Sequence, residues 1–242
     1  MKFRCSSIGK LMTEAQSIDM ALRTPEVEEV IAKKKRTDEE KALIASLKNK
    51  TLSETAKTYI RELAMQDILG VDFEVSSKPM QKGIIVEPDS IALLNSVRGL
   101  SLVKNTERRE NDFITGECDL YDAERKRGHD IKSSWSAQTF PGWVVDCEDK
   151  IYEWQCRGYM ALWDADEWEV NWCLVDTPEN LVAYEPMQLH LVSHIPERLR
   201  VTSWVIKRDM EKEQAIFEKV AHAMSYMKQV INEFEQIHKG NE

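Results

Sequence analysis

The hydrophobic period of this chain changes from helical to strand-like and back, and that change limits its folds more than any other feature. Residues 7–69 read as helical. Ser6 or Ser7 can cap a short helix carrying Ile8, Leu11 and Met12, and Thr24-Pro25-Glu26 has the form of a second start: cap, proline, then an acid near the positive helix end. Tyr59, Ile60, Leu63, Ala64, Ile68 and Leu69 keep helical spacing until Gly70 stops it. Residues 83–97 form another helix candidate, with Ile84, Ile85, Ala92, Leu93 and Leu94 on its apolar face. From about Leu100 the period becomes strand-like, over 100–104, 113–121 and 128–132, with a hairpin or longer loop at 122–128. Helical spacing returns over 151–163, and 167–176 alternates as a strand. The order fits an α/β domain with a central mixed sheet flanked by helices.

Residues 196–239 read as one or two helices. Phe217, Val220, Met224, Met227, Ile231 and Phe234 step by three and four residues, a seam suited to core packing or to another subunit. The expected organisation is one domain over 1–242, with residues 1–70 as a helical N-terminal part and 197–239 as a C-terminal helical extension. A chain of 242 residues buries such a core without staples. No apolar run approaches the ~20 residues that cross a bilayer. The first residues, MKFRCSSIGKLM, lack the apolar stretch of a secretory signal, so the cytoplasm is the expected compartment. Cys5, Cys118, Cys147, Cys156 and Cys173 include no C-x-x-C pair, which argues for buried, reduced thiols over a zinc or iron–sulfur site.

The chemistry-bearing residues lie in FITGECDLYDAERKRGHDIKSS. Alternation along a strand puts Asp130 and Lys132 on one face, with Ile131 turned into the core. If the strands pair around 122–128, Asp119 faces Asp130. Two carboxylates that close repel unless a cation lies between them. Mg²⁺, or Mn²⁺, suits such oxygen ligands, and the Ile131 carbonyl offers one more. Lys132 would then stand beside the ion, placed to orient or deprotonate a water and to screen phosphate charge. Glu87, in Gly83-x-x-x-Glu87-Pro88, is positioned to add a third carboxylate. Gln155 and Tyr159 share a helical face four residues apart. His129 reads as structural. Trp135 and Trp143 fall in the loop after the D-x-K strand, where they could stack on bases; Trp154, Trp163, Trp168 and Trp172 read as packing between helix and strand.

In this order, G-x-x-x-E (Gly83, Glu87), G-x-x-D (Gly116, Asp119), D-x-K (Asp130, Lys132) and Q-x-x-x-Y (Gln155, Tyr159) resemble the PD-(D/E)XK nuclease superfamily. Within it they resemble the lambda exonuclease-like (YqaJ-type) viral recombination nucleases, from residue 6 to about residue 176. The resemblance implies the restriction-endonuclease-like fold. It also implies Glu87, Asp119, Asp130 and the Ile131 carbonyl as ligands to one or two Mg²⁺ or Mn²⁺ ions. Lys132 becomes the catalytic lysine, supported by Gln155 and Tyr159. Ser6 and Ser7, helped by Arg4, become a phosphate site at a helix start, where free N–H groups favour anions. The motif acid before the lysine is Asp130 rather than the commoner Glu. A further upstream acid has two candidates, Glu110 and Asp112.

The implied activity is exonucleolytic removal of one strand of linear double-stranded DNA, 5′ to 3′. It would serve phage-type recombination with a single-strand annealing protein, inside a bacterial host and from a phage or prophage gene. Many members of that family form a ring-shaped trimer, and the resemblance implies a homo-oligomer of that kind here. A ring would explain how a chain with 33 basic and 42 acidic residues, net charge −9, stays on DNA. The residues 33–50 carry seven basic and three acidic side chains, either a solvated helix pair or a basic arm near DNA. The competing readings are an endonuclease or repair nuclease of the same superfamily, and a DNA-binding module without turnover.

Overall fold

Side-chain caps set the helix starts in the N-terminal part of the chain, of which the computed structural model describes residues 2–73 and 76–239. A two-residue strand, β1 (Phe3–Arg4), and a 3-10 turn over Cys5–Ser7 lead into the one-turn helix α1 (Ile8–Leu11). Thr24 accepts from the Val27 N–H and opens α2 (Pro25–Ala32). Thr37 and Glu40 form a reciprocal capping box on α3 (Asp38–Lys50). Ser53 caps α4 (Glu54–Leu69), and Gly70 ends it at φ 64°, a left-handed conformation that glycine adopts without strain. The chain continues through α5 (Lys78–Ile85), α6 (Glu87–Arg98), β2 (Arg108–Glu110), β3 (Ile114–Glu117), β4 (Leu120–Asp122) and β5 (Arg127–Ser133). Then come α7 (Lys150–Trp163), β6 (Glu167–Cys173), β7 (Val201–Lys207) and α8 (Met210–Lys239).

These elements form two compact units. The first comprises Met1–Phe73, Asp112–Ile114 and Met210–Glu242, so the N-terminal and C-terminal helical parts come together in one body. In it α8 packs against α1, α3 and α4. Ile216, Val220, Ala223 and Met227 are its buried stripe, and Phe217, Met224, Ile231 and Phe234 flank it half-buried. The seam therefore serves this unit's own core. Lys219 is buried with it, and its ammonium donates to the Thr51 carbonyl at 2.6 Å. The basic stretch 33–50 is the link after α2 followed by α3: Arg36 donates to the Val30 and Ile31 carbonyls at the end of α2, and Lys33 pairs with Glu40.

The second unit comprises Glu74–Asn111 and Thr115–Asp209. Its main sheet has the order β4-β5-β6-β7, with β5 and β6 parallel and the outer pairs antiparallel. α7 connects the two parallel strands, as parallel pairing requires. One face of the sheet packs on α6 through Ile91, Leu93, Leu94, Leu120, Ile131 and Cys173. The other meets α7, where Tyr159 stacks on Trp168 at 5.2 Å and Trp163 crosses Trp168 edge-on at 6.4 Å. His129 is buried in the sheet, 3.2 Å from Glu169. All five cysteines are buried thiols outside any disulfide.

Four expected elements differ. The helix expected over 83–97 is two helices that break at Val86, because Pro88 lacks the N–H a continuous helix needs and its ring crowds the preceding turn. The strand expected over 100–104 is irregular: the Asn95 side chain bonds both the N–H and the carbonyl of Leu102, in place of a strand neighbour. The strand expected over 113–121 is split into β3 and β4 at Cys118-Asp119, whose carbonyls are taken by Asn105. Within the helical expectation for 196–239, Val201–Lys207 is a strand paired along its length with β6. Its β-branched VTSWVIK sequence is the signal, masked by half-burial that blurs the two-residue period.

Gly128 of β5 lies opposite Trp168 of β6, and a Cβ there would come within 2.3 Å of the indole ring. The ring is fully buried between aromatic neighbours and has no room to yield. Gly128→Ala is expected to lower unfolding free energy by about 2–3 kcal/mol, the usual cost of overpacking. Urea unfolding checks this, and an unchanged midpoint would refute the tight fit.

Candidate active site

The hairpin register brings the first two carboxylates together. Leu120 pairs with His129, so Asp119, one residue earlier, comes level with Asp130. Asp119 is fixed from two sides: its carbonyl accepts from the Asn105 N–H at 2.8 Å, and its Oδ2 accepts from the Ile131 N–H at 2.7 Å. The point where the chain leaves β3 and enters β4 thus aims a carboxylate at the strand carrying the D-x-K motif.

Asp130 is only 2% exposed. Its Oδ1 accepts from Gln155 Nε2 of α7 at 2.9 Å. Its Oδ2 forms an ion pair with Lys132 Nζ at 2.7 Å. Burial pushes the Asp130 carboxyl above its ordinary range; Asp119 adds to the rise, and Lys132 opposes it. Burial would by itself lower the Lys132 value. The Asp130 charge overrides burial, with Tyr152 and Asp119 adding to it, and the net shift is upward. Lys132 is therefore held as an ammonium, and it also sits 4.4 Å above the Tyr152 ring centroid.

Glu87 occupies the first turn of α6 because the Val86 break starts a new helix there. Its Oε1 meets Lys104 Nζ at 2.7 Å, and the same nitrogen lies 2.9 Å from Asp119 Oδ1. Burial opposes the charged form of Lys104, but Asp119 and Glu87 together hold its value above the ordinary one. The site thus unites Glu87, Asp119, Asp130, Ile131, Lys132 and Gln155, all expected, with Lys104, which the sequence did not single out. Nothing in the local pattern marks Lys104, because its partners lie 15 and 17 residues away.

Tyr159 is placed differently. Its hydroxyl donates to the Glu117 carbonyl at 3.1 Å and its ring packs on Trp168, so it ties β3 to α7 rather than joining the carboxylates. Ser6, Ser7 and Arg4 belong to the first unit, where Ser7 stands at the start of α1 without a side-chain capping bond. Of the two candidate upstream acids, Glu110 ends β2 in the second unit and Asp112 lies in the first. Trp135 is held by Glu185 through its Nε1 at 3.0 Å and lies edge-on to His190 at 5.2 Å. Trp143 is 74% exposed beside exposed Val144 and Val145.

Lys82 is the second residue missed. It is fully buried in α5 and donates to the carbonyls of Ser134, Trp135 and Val175 at 2.6, 3.2 and 2.9 Å. It holds the exit of β5, just beyond Lys132, to the segment that follows β6. Its place beside Gly83 of the G-x-x-x-E motif was the available signal.

Among the described residues no group of three or more His, Cys, Asp or Glu side chains is arranged to hold a metal ion as it stands: Glu87 and Asp119 are closed on Lys104, and Asp130 on Lys132. The donors that these side chains offer are carboxylate oxygens. Oxygen-only ligation of that kind suits Mg²⁺ or Mn²⁺ rather than zinc.

No protein-family model and no curated protein matches this chain. Among solved structures it is similar to a phage-related exonuclease from Haemophilus somnus 129PT, with 35% identity, a TM-score of 0.80, and 97% of this chain and 96% of that one covered. It is also similar in fold to the alkaline exonuclease LHK-Exo from Laribacter hongkongensis, at 14% identity, TM-score 0.65, and 100% and 95% coverage. A complex of LHK-Exo with dAMP matches at 15% identity, TM-score 0.61, and the same coverage. The mixed sheet with flanking helices is thus the nuclease-like architecture that the motif order implied.

Lys82 gives this geometry a pH signature. Burial lowers its value from the ordinary 10.5 to about 8, with Asp176 acting the other way. Between those two values the unfolded chain holds the proton more tightly than the folded one, so the residue's contribution to stability rises with pH across that window. The difference in unfolding free energy between wild type and Lys82→Met should therefore shift toward wild type from pH 8 to 10.5. A flat difference would mean that the three carbonyls keep the ammonium charged throughout.

Proposed function

The chain belongs to the family of the phage-related exonucleases, and we propose that it removes nucleotides from one strand of linear double-stranded DNA, 5′ to 3′, with Mg²⁺ or Mn²⁺. That it is a nuclease follows from the family. The substrate, polarity and metal are our reading. The observation that carries it is the buried Asp130–Lys132 pair with Asp119 held level by the Ile131 N–H. The dAMP bound to LHK-Exo, which shares the fold, is in keeping with a DNA substrate.

Glu87, Asp119 and Asp130, with the Ile131 carbonyl, would hold the cation. When bound, it supplies Lewis acidity toward the phosphoryl oxygens. The chain's own groups do the rest. Gln155 fixes the Asp130 carboxylate by its Oδ1, leaving Oδ2 directed toward Lys132. The Lys132 ammonium can donate to a non-bridging phosphate oxygen, stabilising charge as water adds to phosphorus and gives its proton to solvent, while the bridging P–O bond breaks and the leaving oxygen takes a proton from solvent. Tyr159 keeps β3, and with it the approach to Asp119, against α7. Ser6, Ser7 and Arg4 would engage the terminal phosphate.

In the same reading the enzyme acts in the cytoplasm of a bacterial host, in phage-type recombination, beside an annealing protein that takes up the exposed strand. A ring trimer would keep this acidic chain on DNA by topology. Light scattering should then give three times the chain mass, and a monodisperse monomer at assay concentration would count against the ring.

The activity itself is tested with linear duplex labelled at either the 5′ or the 3′ end, in Mg²⁺ and in EDTA, beside closed-circular DNA. Metal-dependent loss of the 5′ label first, with the circle spared, is expected. Lys132→Ala should slow it about a hundred- to a thousand-fold, the range for removing one charge-stabilising donor. Cutting of the circle would favour the endonuclease reading instead. Binding to duplex without cleavage in either metal would favour a module without turnover.

A further inference from the structure

The Lys104 ammonium stands between Glu87 and Asp119, 2.7 and 2.9 Å from one oxygen of each. It does there what a cation between two carboxylates does: it relieves their repulsion. The three carboxylates of the site are met by two ammoniums, Lys104 and Lys132, which leaves one net negative charge in the absence of metal. The two lysines are not held alike. Lys132 is 21% exposed, pairs with a buried carboxylate and sits over Tyr152. Lys104 is 37% exposed, and both its partners are themselves partly exposed. Its backbone is fixed on either side, at Leu102 by Asn95 and at Asn105 by the Asp119 carbonyl, but its side chain can swing into water.

We propose that Lys104 is a resident counter-ion of the metal-free site, which a divalent cation must displace from Glu87 and Asp119 in order to bind. This rests on the metal-dependent reading given above. Lys104 lets the carboxylates fold close together without metal, and it weakens metal affinity in proportion to what its two ion pairs contribute. Its exit adds no buried charge, because the ammonium returns to water. Lys132 stays, so a bound cation finds a site balanced near neutrality rather than one carrying an excess positive charge.

The test is Mn²⁺ binding to the full chain without DNA, read from loss of the free-ion EPR signal. It compares wild type, Lys104→Met, Lys104→Gln, Lys104→Arg and Asp130→Asn. Lys104→Met should bind Mn²⁺ about ten-fold more tightly, as expected for releasing two partly exposed ion pairs. Lys104→Gln should follow it, whichever of the two folds better. Lys104→Arg should remain near wild type. In EDTA the neutral variants should unfold at a lower temperature than wild type, and they should gain more than wild type from added Mn²⁺. Equal or weaker binding by both neutral variants, with Asp130→Asn still abolishing it, overturns the counter-ion role and leaves the metal site intact. If none of the proteins binds Mn²⁺, the metal reading fails and the counter-ion role fails with it.

Discussion

A carboxylate with 2% exposure at the centre of a sheet is costly, and much of the second unit is arranged around the cost at Asp130. An unpaired charge there would be worth several kcal/mol against folding. Two contacts offset it. Lys132 comes from the same face of the same strand, two residues on, so β5 supplies its own counter-charge. Gln155 comes from α7, which reaches this face because β5 and β6 are parallel and need a crossover between them. The intervening Ile131 faces the opposite core while its N–H holds Asp119. One three-residue stretch therefore joins apolar packing, charge balance and the convergence of acids.

What could be read from the sequence is what depends on near neighbours. The caps at Thr24 and Ser53, the stop at Gly70, the D-x-K strand and the α7 helix all follow from residues within a few positions. The grouping of Glu87, Asp119, Asp130, Lys132 and Gln155 was legible through the resemblance, because each motif is short and their order is distinctive. The failures share a cause, which is competition from distant partners. Asn95 and Asn105 use their side chains to occupy backbone groups that would otherwise extend strands, and no local period reports this. The β7 strand has its partner about 34 residues upstream, and Ile206 is the one fully buried side chain among its seven. Lys82 and Lys104 find their carbonyl and carboxylate partners 15 to 93 residues away.

The same contacts explain how an acidic chain can present an anion-handling site. Net charge sums the whole surface, whereas phosphate meets only the local field. Here Glu87, Asp119 and Asp130 are matched by lysines whose values are held upward by those acids. Each lysine's charged form is favoured by the carboxylate beside it, so replacing either disturbs the other half of the pair.

The distribution of tryptophan carries one more consequence. All seven, from Trp135 to Trp204, belong to the second unit, where Trp163 and Trp168 lie among ring contacts at 5–6 Å; the first unit, with α4 and the thirty-residue α8, has none. Emission excited at long wavelength therefore reports on the second unit alone, while helical circular dichroism is weighted toward the other body. The two optical signals watch different halves of the molecule. Their coincidence or divergence during unfolding reveals whether those halves melt as one cooperative block.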